Sequence, residues 1–146
     1  MKTSVSELLH EARMAAPHLI SVRSDSDIIA ARMAARDMAR SMGFSAIDQA
    51  RIATATSELT RNILIYAGEG TVTLSQVQRD NRTGIEMVFA DQGPGIADVE
   101  QSLQNGTSAG GIPGMGLAGT RRLMDEMDIE STIGVGTRIT CRKWLS

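Results

Sequence analysis

The chain has 146 residues, a net charge of −2 and 42% apolar residues, which suits one globular domain able to bury its own core. No basic stripe speaks for nucleic acid, no apolar run approaches the ~18 residues of a membrane span, and Cys141, the lone cysteine, cannot form an internal disulfide. Aromatics make up 3%, so the core rests on aliphatic side chains and nine methionines.

In chain order, three helix starts share one device. Ser4-Val5-Ser6-Glu7, Ser24-Asp25-Ser26-Asp27 and Ser45-Ala46-Ile47-Asp48 each set a serine three residues before an acid, which suits an N-cap and the positive helix end. A first helix is predicted over about Val5 to Ala16, stopped by Pro17. Its polar residues Glu7, His10, Glu11 and Arg13 break any signal-peptide core, so a cytoplasmic protein is expected. His18 to Arg23 reads as a short strand. A second helix follows over about Asp25 to Met42, with Gly43 as its left-handed cap, and a third over about Ala46 to Tyr66.

From Gly70 the period changes to two. Val72, Leu74 and Val77 mark one strand and Ile85, Met87 and Phe89 another, joined by the polar stretch from Arg79 to Gly84. A glycine-rich loop extends from Gln92 to Pro113. A fourth helix is predicted over about Leu117 to Met127. Strands over Ile129 to Ile133 and Arg138 to Leu145 close the chain around a Gly134-Val135-Gly136 turn. This order predicts an α+β fold, a two-layer sandwich with a mixed sheet covered on one face by helices. Residues 1–17 read as a helical extension and 18–146 as the main domain. Cys141 falls in an alternating apolar stretch and reads as a core residue; His10 and His18 have no fellow metal ligands nearby in sequence.

Ten of the fourteen glycines lie between Gly93 and Gly136. Singly they are turn residues. Grouped, Asp91-Gln92-Gly93-Pro94-Gly95 follows a strand, and Gly110 to Leu117 leads into a helix, a placement that offers backbone N–H groups to a phosphate. No Gly-Lys-Ser/Thr follows, so it is not a Walker loop. Glu58 and Asn62 lie one turn apart on the third helix. A solvated polar face is the plain reading; a carboxylate beside an amide also suits proton transfer and Mg2+ ligation.

Four ordered boxes, Glu58-x-x-x-Asn62, Asp91-x-Gly93-x-Gly95, Gly114-x-Gly116-Leu117 and Gly134-x-Gly136-Thr137, resemble those of the GHKL (Bergerat-fold) ATPases, a superfamily that includes gyrase, histidine kinases and anti-sigma-factor kinases. The match covers about Ile20 to Leu145. Finer stretches, among them Asp48 to Ile52, Ser57 to Ile63, Arg122 to Glu126 and Lys143-Trp144-Leu145, resemble the RsbT-like switch serine/threonine kinases of bacterial stress signalling. Anti-sigma kinases carry a histidine four residues after the asparagine, where this chain has Tyr66.

The resemblance implies a Bergerat-type sandwich that binds ATP and Mg2+. It implies Glu58 as catalytic base, Asn62 on Mg2+, and Asp91, Gly93, Gly95 and Thr137 around adenine. Gly114, Met115, Gly116 and Leu117 would hold the phosphates, under a lid running from about Ile96 to Pro113. Arg61 would contact a phosphate or the partner, or form a surface salt bridge. The implied partners are a STAS-domain antagonist and a PP2C-type phosphatase. The alternatives are an anti-sigma factor that sequesters a sigma factor, and a non-catalytic binding module.

Overall fold

The computed structural model describes residues 12–13, 16–99 and 116–146. Among the described residues, six strands and three helices follow one another: β1 (Ala12–Arg13), β2 (His18–Val22), α1 (Asp25–Met42), α2 (Ala46–Tyr66), β3 (Gly70–Arg79), β4 (Arg82–Asp91), α3 (Leu117–Leu123), β5 (Glu126–Thr132) and β6 (Gly136–Trp144). The sheet runs β1-β3-β4-β6-β5, with β2 beside β1 on the same edge of β3. The two-layer α+β arrangement is the expected one. Every strand pairing among the described residues is antiparallel, where a mixed sheet was expected.

The helix ends obey their local signals. Ser24 is the N-cap of α1, and the Asp27 carboxylate accepts from the backbone N–H groups of Arg23 and Ser24 at 2.8 and 3.1 Å. Those bonds, the Arg23 one foremost, hold its carboxyl below the usual range. Gly43 ends α1 at φ +96°, and the Phe44 N–H reaches back to the Ala39 carbonyl at 3.0 Å, the cap only a left-handed residue allows. Ser45 starts α2 by accepting from the Asp48 N–H at 3.1 Å.

One face of the sheet carries the core. Helix α2 buries Ile52, Ala55, Leu59 and Ile63 at helical spacing. They meet Val72, Leu74, Met87, Phe89, Ile139 and Cys141 from the sheet. Each large side chain so buried contributes about 1.5–3 kcal/mol. Helix α1 buries only Ala31, Ala35 and Ala39, and this small-residue stripe brings it close against α2. Cys141 is fully buried, and that burial pushes its thiol up to about 12.

The opposite face is polar. Arg142 bonds Glu86 at 3.0 Å and Glu126 at 3.2 Å, while Arg79 and Arg82 lie 4.9 and 4.8 Å from the Trp144 ring centre. Burial opposes ionisation of Glu126, yet the Trp144 indole N–H and the two guanidinium groups outweigh it and hold the carboxyl below its ordinary value.

Three elements differ from expectation. Ala12 and Arg13 fall within the expected first helix but form β1, paired with Gln78 and Val77; Ala16 is not helical, and residues 5–11, 14 and 15 lie outside the described residues. β2 covers β3 only from Gly70 to Leu74, so the far edge of β3 leaves backbone groups to be satisfied, and β1 takes them. The β3–β4 connection is a two-residue turn, with Asp80 at φ 49° and Asn81 at φ 72°, the form that matches strand twist. Finally, α3 stops at Leu123 rather than near Met127. The Asp125 N–H bonds the Arg142 carbonyl at 3.0 Å, its carboxylate accepts the Trp144 N–H at 2.8 Å, and Glu126 joins the network on the polar face. These long-range bonds take the chain out of the helix and into β5.

Candidate functional site

The site is built along one side of α2. Glu58 and Asn62 are each half-buried there, one turn apart. Near Glu58, α3 begins: Gly116 is left-handed at φ +68°, and a Cβ placed on it would come within 2.7 Å of Glu58 Oε1. The positive φ is one that glycine adopts without strain. Near the other end of α2, a Cβ on Gly93 would come within 2.6 Å of Ala67 Cβ and 3.2 Å of Asp91 Oδ1. From Glu58 to Ala67 the helix advances roughly 13 Å at 1.5 Å per residue. One cleft wall therefore has the start of α3 at one end and the Asp91 turn at the other.

The floor at the Asp91 end is a single cross-strand row. Gly70 pairs with Asp91, Asp91 with Thr137, and Thr137 with Ser131. Residues opposite one another share a face, with Cβ atoms about 4.5–5.5 Å apart. Asp91 Oδ1 accepts from the Gly93 N–H at 2.9 Å. Thr137, buried to 9% exposure, has its hydroxyl 2.8 Å from that of Ser131. The turn after Asp91 is pinned to the β5–β6 hairpin by the Gly134 N–H, which donates to the Pro94 carbonyl at 2.9 Å. The Ile96 N–H adds a bond to Ser131 Oγ at 2.7 Å. Gly95, at φ +84°, leaves no space for a side chain against the Thr132 carbonyl.

Of the residues singled out in the sequence, Glu58 and Asn62 lie on α2, Gly116 beside Glu58, Gly93 beside Ala67 and Gly95 against the β5–β6 hairpin, and Asp91 opposite Thr137. Leu117 is a fully buried anchor of α3. Gly114 and Met115, and residues 100–113 of the expected lid, lie outside the described residues. Arg61 pairs with Glu58 at 3.0 Å, both side chains nearly half exposed. Sequence reading missed Ser131, which carries a signal only in hindsight, as the strand partner of Thr137. The finer motif residues Asp48, Asp125 and Lys143 form a separate structural cluster. Lys143 Nζ donates to the Leu123 carbonyl at 2.8 Å at the end of α3 and lies 3.5 Å from Asp125 and 3.8 Å from Asp48.

An open groove of about 530 Å³ lies at the same strand ends on the opposite face, with Ser21, Thr71, Ala90, Arg138 and Glu130 across its floor. Asp91, Gly136 and Thr137 line it as well; by strand alternation the side chains of Asp91 and Thr137 belong to the other face of the sheet.

The order and spacing of these elements match the model of the histidine kinase-like ATPase domain over residues 22–143. The chain belongs to the histidine kinase-like ATPase domain family. Within that family it is 44% identical over 126 residues to the serine/threonine-protein kinase RsbT of Bacillus subtilis (strain 168), covering 86% of this chain and 95% of that protein. It is 36% identical over 102 residues to an anti-sigma F factor of Caldanaerobacter subterraneus subsp. tengcongensis, covering 66% of this chain and 70% of that protein. An anti-sigma F factor of Thermoanaerobacter sp. (strain X514) is 33% identical over a stretch of the same length. No helix among the described residues is long and apolar enough to cross a membrane.

Proposed function

We propose that this protein is an ATP-dependent protein serine/threonine kinase that acts as a partner-switching regulator. It phosphorylates a STAS-domain antagonist, then binds and activates a PP2C-type phosphatase, in a cytoplasmic stress or sigma-factor pathway. Residues 18–146 are the kinase domain and 1–17 an N-terminal extension. The observation that carries this reading is the placement of Glu58 beside Gly116 near one end of the α2 stretch from Glu58 to Ala67 and of Gly93, next to the paired Asp91 and Thr137, at the other.

The donor set suits a nucleotide. Asp91, with one oxygen engaged by the Gly93 N–H, offers its other acceptor to the adenine amine; guanine would present an oxygen there instead. Gly93 and Gly95 keep the backbone close to the base, and Thr137 contacts it through its hydroxyl. Gly116, left-handed at φ +68° beside Glu58, would hold the phosphates together with Gly114, Met115 and Leu117. Asn62 supplies the kind of hard oxygen that Mg2+ accepts while keeping sites for phosphate, and the ion, when bound, neutralises charge on the phosphates. Glu58 takes the proton from the attacking Ser or Thr hydroxyl. Arg61, paired with Glu58, fixes the carboxylate's orientation until a partner's charge competes for it.

The RsbT relative is more similar, and covers more of both chains, than the anti-sigma F factors, which favours the switch kinase over sigma-factor sequestration. Radiolabelled ATP mixed with this protein and candidate STAS proteins tests the reading. Label on a STAS serine or threonine is the expected result. An absence of label together with tight binding of a sigma factor would establish the anti-sigma alternative in its place.

A further inference from the structure

Asp48, Asp125 and Lys143 stand apart from Asp91 and Thr137, yet they hold the far end of the helix that begins beside Glu58. Lys143 extends from β6 and is buried, at a depth where an ammonium group needs partners. Its Nζ donates to the Leu123 carbonyl at 2.8 Å and lies 3.5 Å from Asp125 Oδ1 and 3.8 Å from Asp48 Oδ1. Both carboxylates are themselves fixed. Asp125 Oδ2 accepts the Trp144 N–H at 2.8 Å, and Asp48 holds Arg51 at 3.0 Å in the first turns of α2. Helix α3 has little else to hold it. It has seven residues, no side-chain bond at its N-cap Gly116, and an extended residue, Met124, at its C-cap, where a left-handed one would have closed the last carbonyls. A helix so short is marginal on its own. Leu117 anchors its start by burial, and among the described residues no side chain from outside α3 other than Lys143 bonds to it.

We infer that Lys143 is a positioning residue for the nucleotide: it fixes α3 from its far end so that Gly116 stays beside Glu58. This inference rests on the nucleotide reading above, in which the start of α3 belongs to the phosphates. From Leu123 back to Gly116 the helix measures about 10 Å at 1.5 Å per residue, so Lys143 acts through the helix and touches no nucleotide. The ammonium also meets the negative end of the helix dipole. Asp48 and Asp125 act one step further out, by keeping Nζ on the Leu123 carbonyl. Without that bond α3 divides its time between the docked position and looser ones. Only molecules with α3 docked bind at full strength, so the apparent affinity falls with their fraction.

The test is calorimetric titration of the full chain and its variants with a non-hydrolysable ATP analogue in Mg2+, well below every melting range. There a loss of global stability leaves the folded population, and hence the Kd, unchanged; only a shift within the folded state raises it. Lys143→Met should raise the Kd about three- to tenfold, as it would with α3 docked in a tenth to a third of molecules. Lys143→Arg keeps a cation that can donate to a carbonyl and should recover most of the affinity. Ala35→Gly, in the buried stripe of α1, is the control: it lowers stability through the helix backbone and should leave the Kd alone. A wild-type Kd in folded Lys143→Met would mean a merely structural role and overturns the inference, as does an equal rise in Ala35→Gly. Should Lys143→Met fail to fold, Asp48→Asn, which removes only the most distant charge, must raise the Kd for the inference to stand. Wild-type protein that does not bind the analogue would remove the nucleotide reading itself; wild-type binding with an unaltered Kd in the variant removes only the role of Lys143.

Discussion

Asp91→Asn should damage nucleotide binding whichever way the new amide turns. In the wild type, Oδ1 is held by the Gly93 N–H at 2.9 Å, and the other oxygen remains to accept from the base. Asparagine has one oxygen and one NH2. If the oxygen stays on Gly93, the NH2 faces the adenine amine, donor against donor. If the amide flips, the NH2 faces the Gly93 N–H, the same conflict moved to the turn. One mispaired contact costs about 1–3 kcal/mol, or roughly a 5- to 150-fold rise in Kd. Isothermal titration with a non-hydrolysable ATP analogue measures it. A second ligand sharpens the test, because an inosine triphosphate analogue carries an oxygen where adenine has its amine. The variant should therefore lose less affinity for the inosine analogue than for the ATP analogue. Wild-type affinity for the ATP analogue in Asp91→Asn would refute the placement of this carboxylate against the base.

Other perturbations reach different parts of the molecule. Glu58→Gln should keep nucleotide binding and lose phosphoryl transfer about 10²–10⁴-fold in a single-turnover assay; normal transfer would dismiss it as the base. Lys143→Met removes the charged bond to the end of α3 and should cost about 1.5–3 kcal/mol, roughly 3–12 °C in a melting curve, whereas a shift within error would mean that the Lys143 cluster contributes nothing. The lowered Asp27 carboxyl stabilises the fold above its unfolded value of 3.8 and loses that contribution as pH falls through the lower folded value. The gap in melting temperature between wild type and Asp27→Asn should thus close below about pH 4; a gap independent of pH would contradict this. The Cys141 thiol, raised from 9.0 to about 12, should resist alkylation at pH 8 until the protein unfolds. Because the unfolded thiol ionises first, stability should fall between those two values, and rapid native-state labelling would show that the β6 core is open.

The sequence by itself determined the local structure and the chemistry it announces. Ser24, Gly43 and Ser45 set helix ends because caps act over three or four residues. Alternation through Val72-Leu74 and Ile85-Met87-Phe89 set two strands, and the order of glycine boxes pointed to a nucleotide. Tertiary structure decided what depends on distant partners. It alone set Ser131 beside Thr137 and Asp91 in one row and brought Gly116 against Glu58. It also ended α3 at Leu123 and made a strand of Ala12-Arg13, against the local pattern in each case. Residues 125 and 126 find their bonds on β6, near residues 142 to 144, and residues 12 and 13 find theirs on β3. A backbone group is satisfied by whatever partner folding brings to it, and a partner tens of residues away leaves no mark in the local sequence.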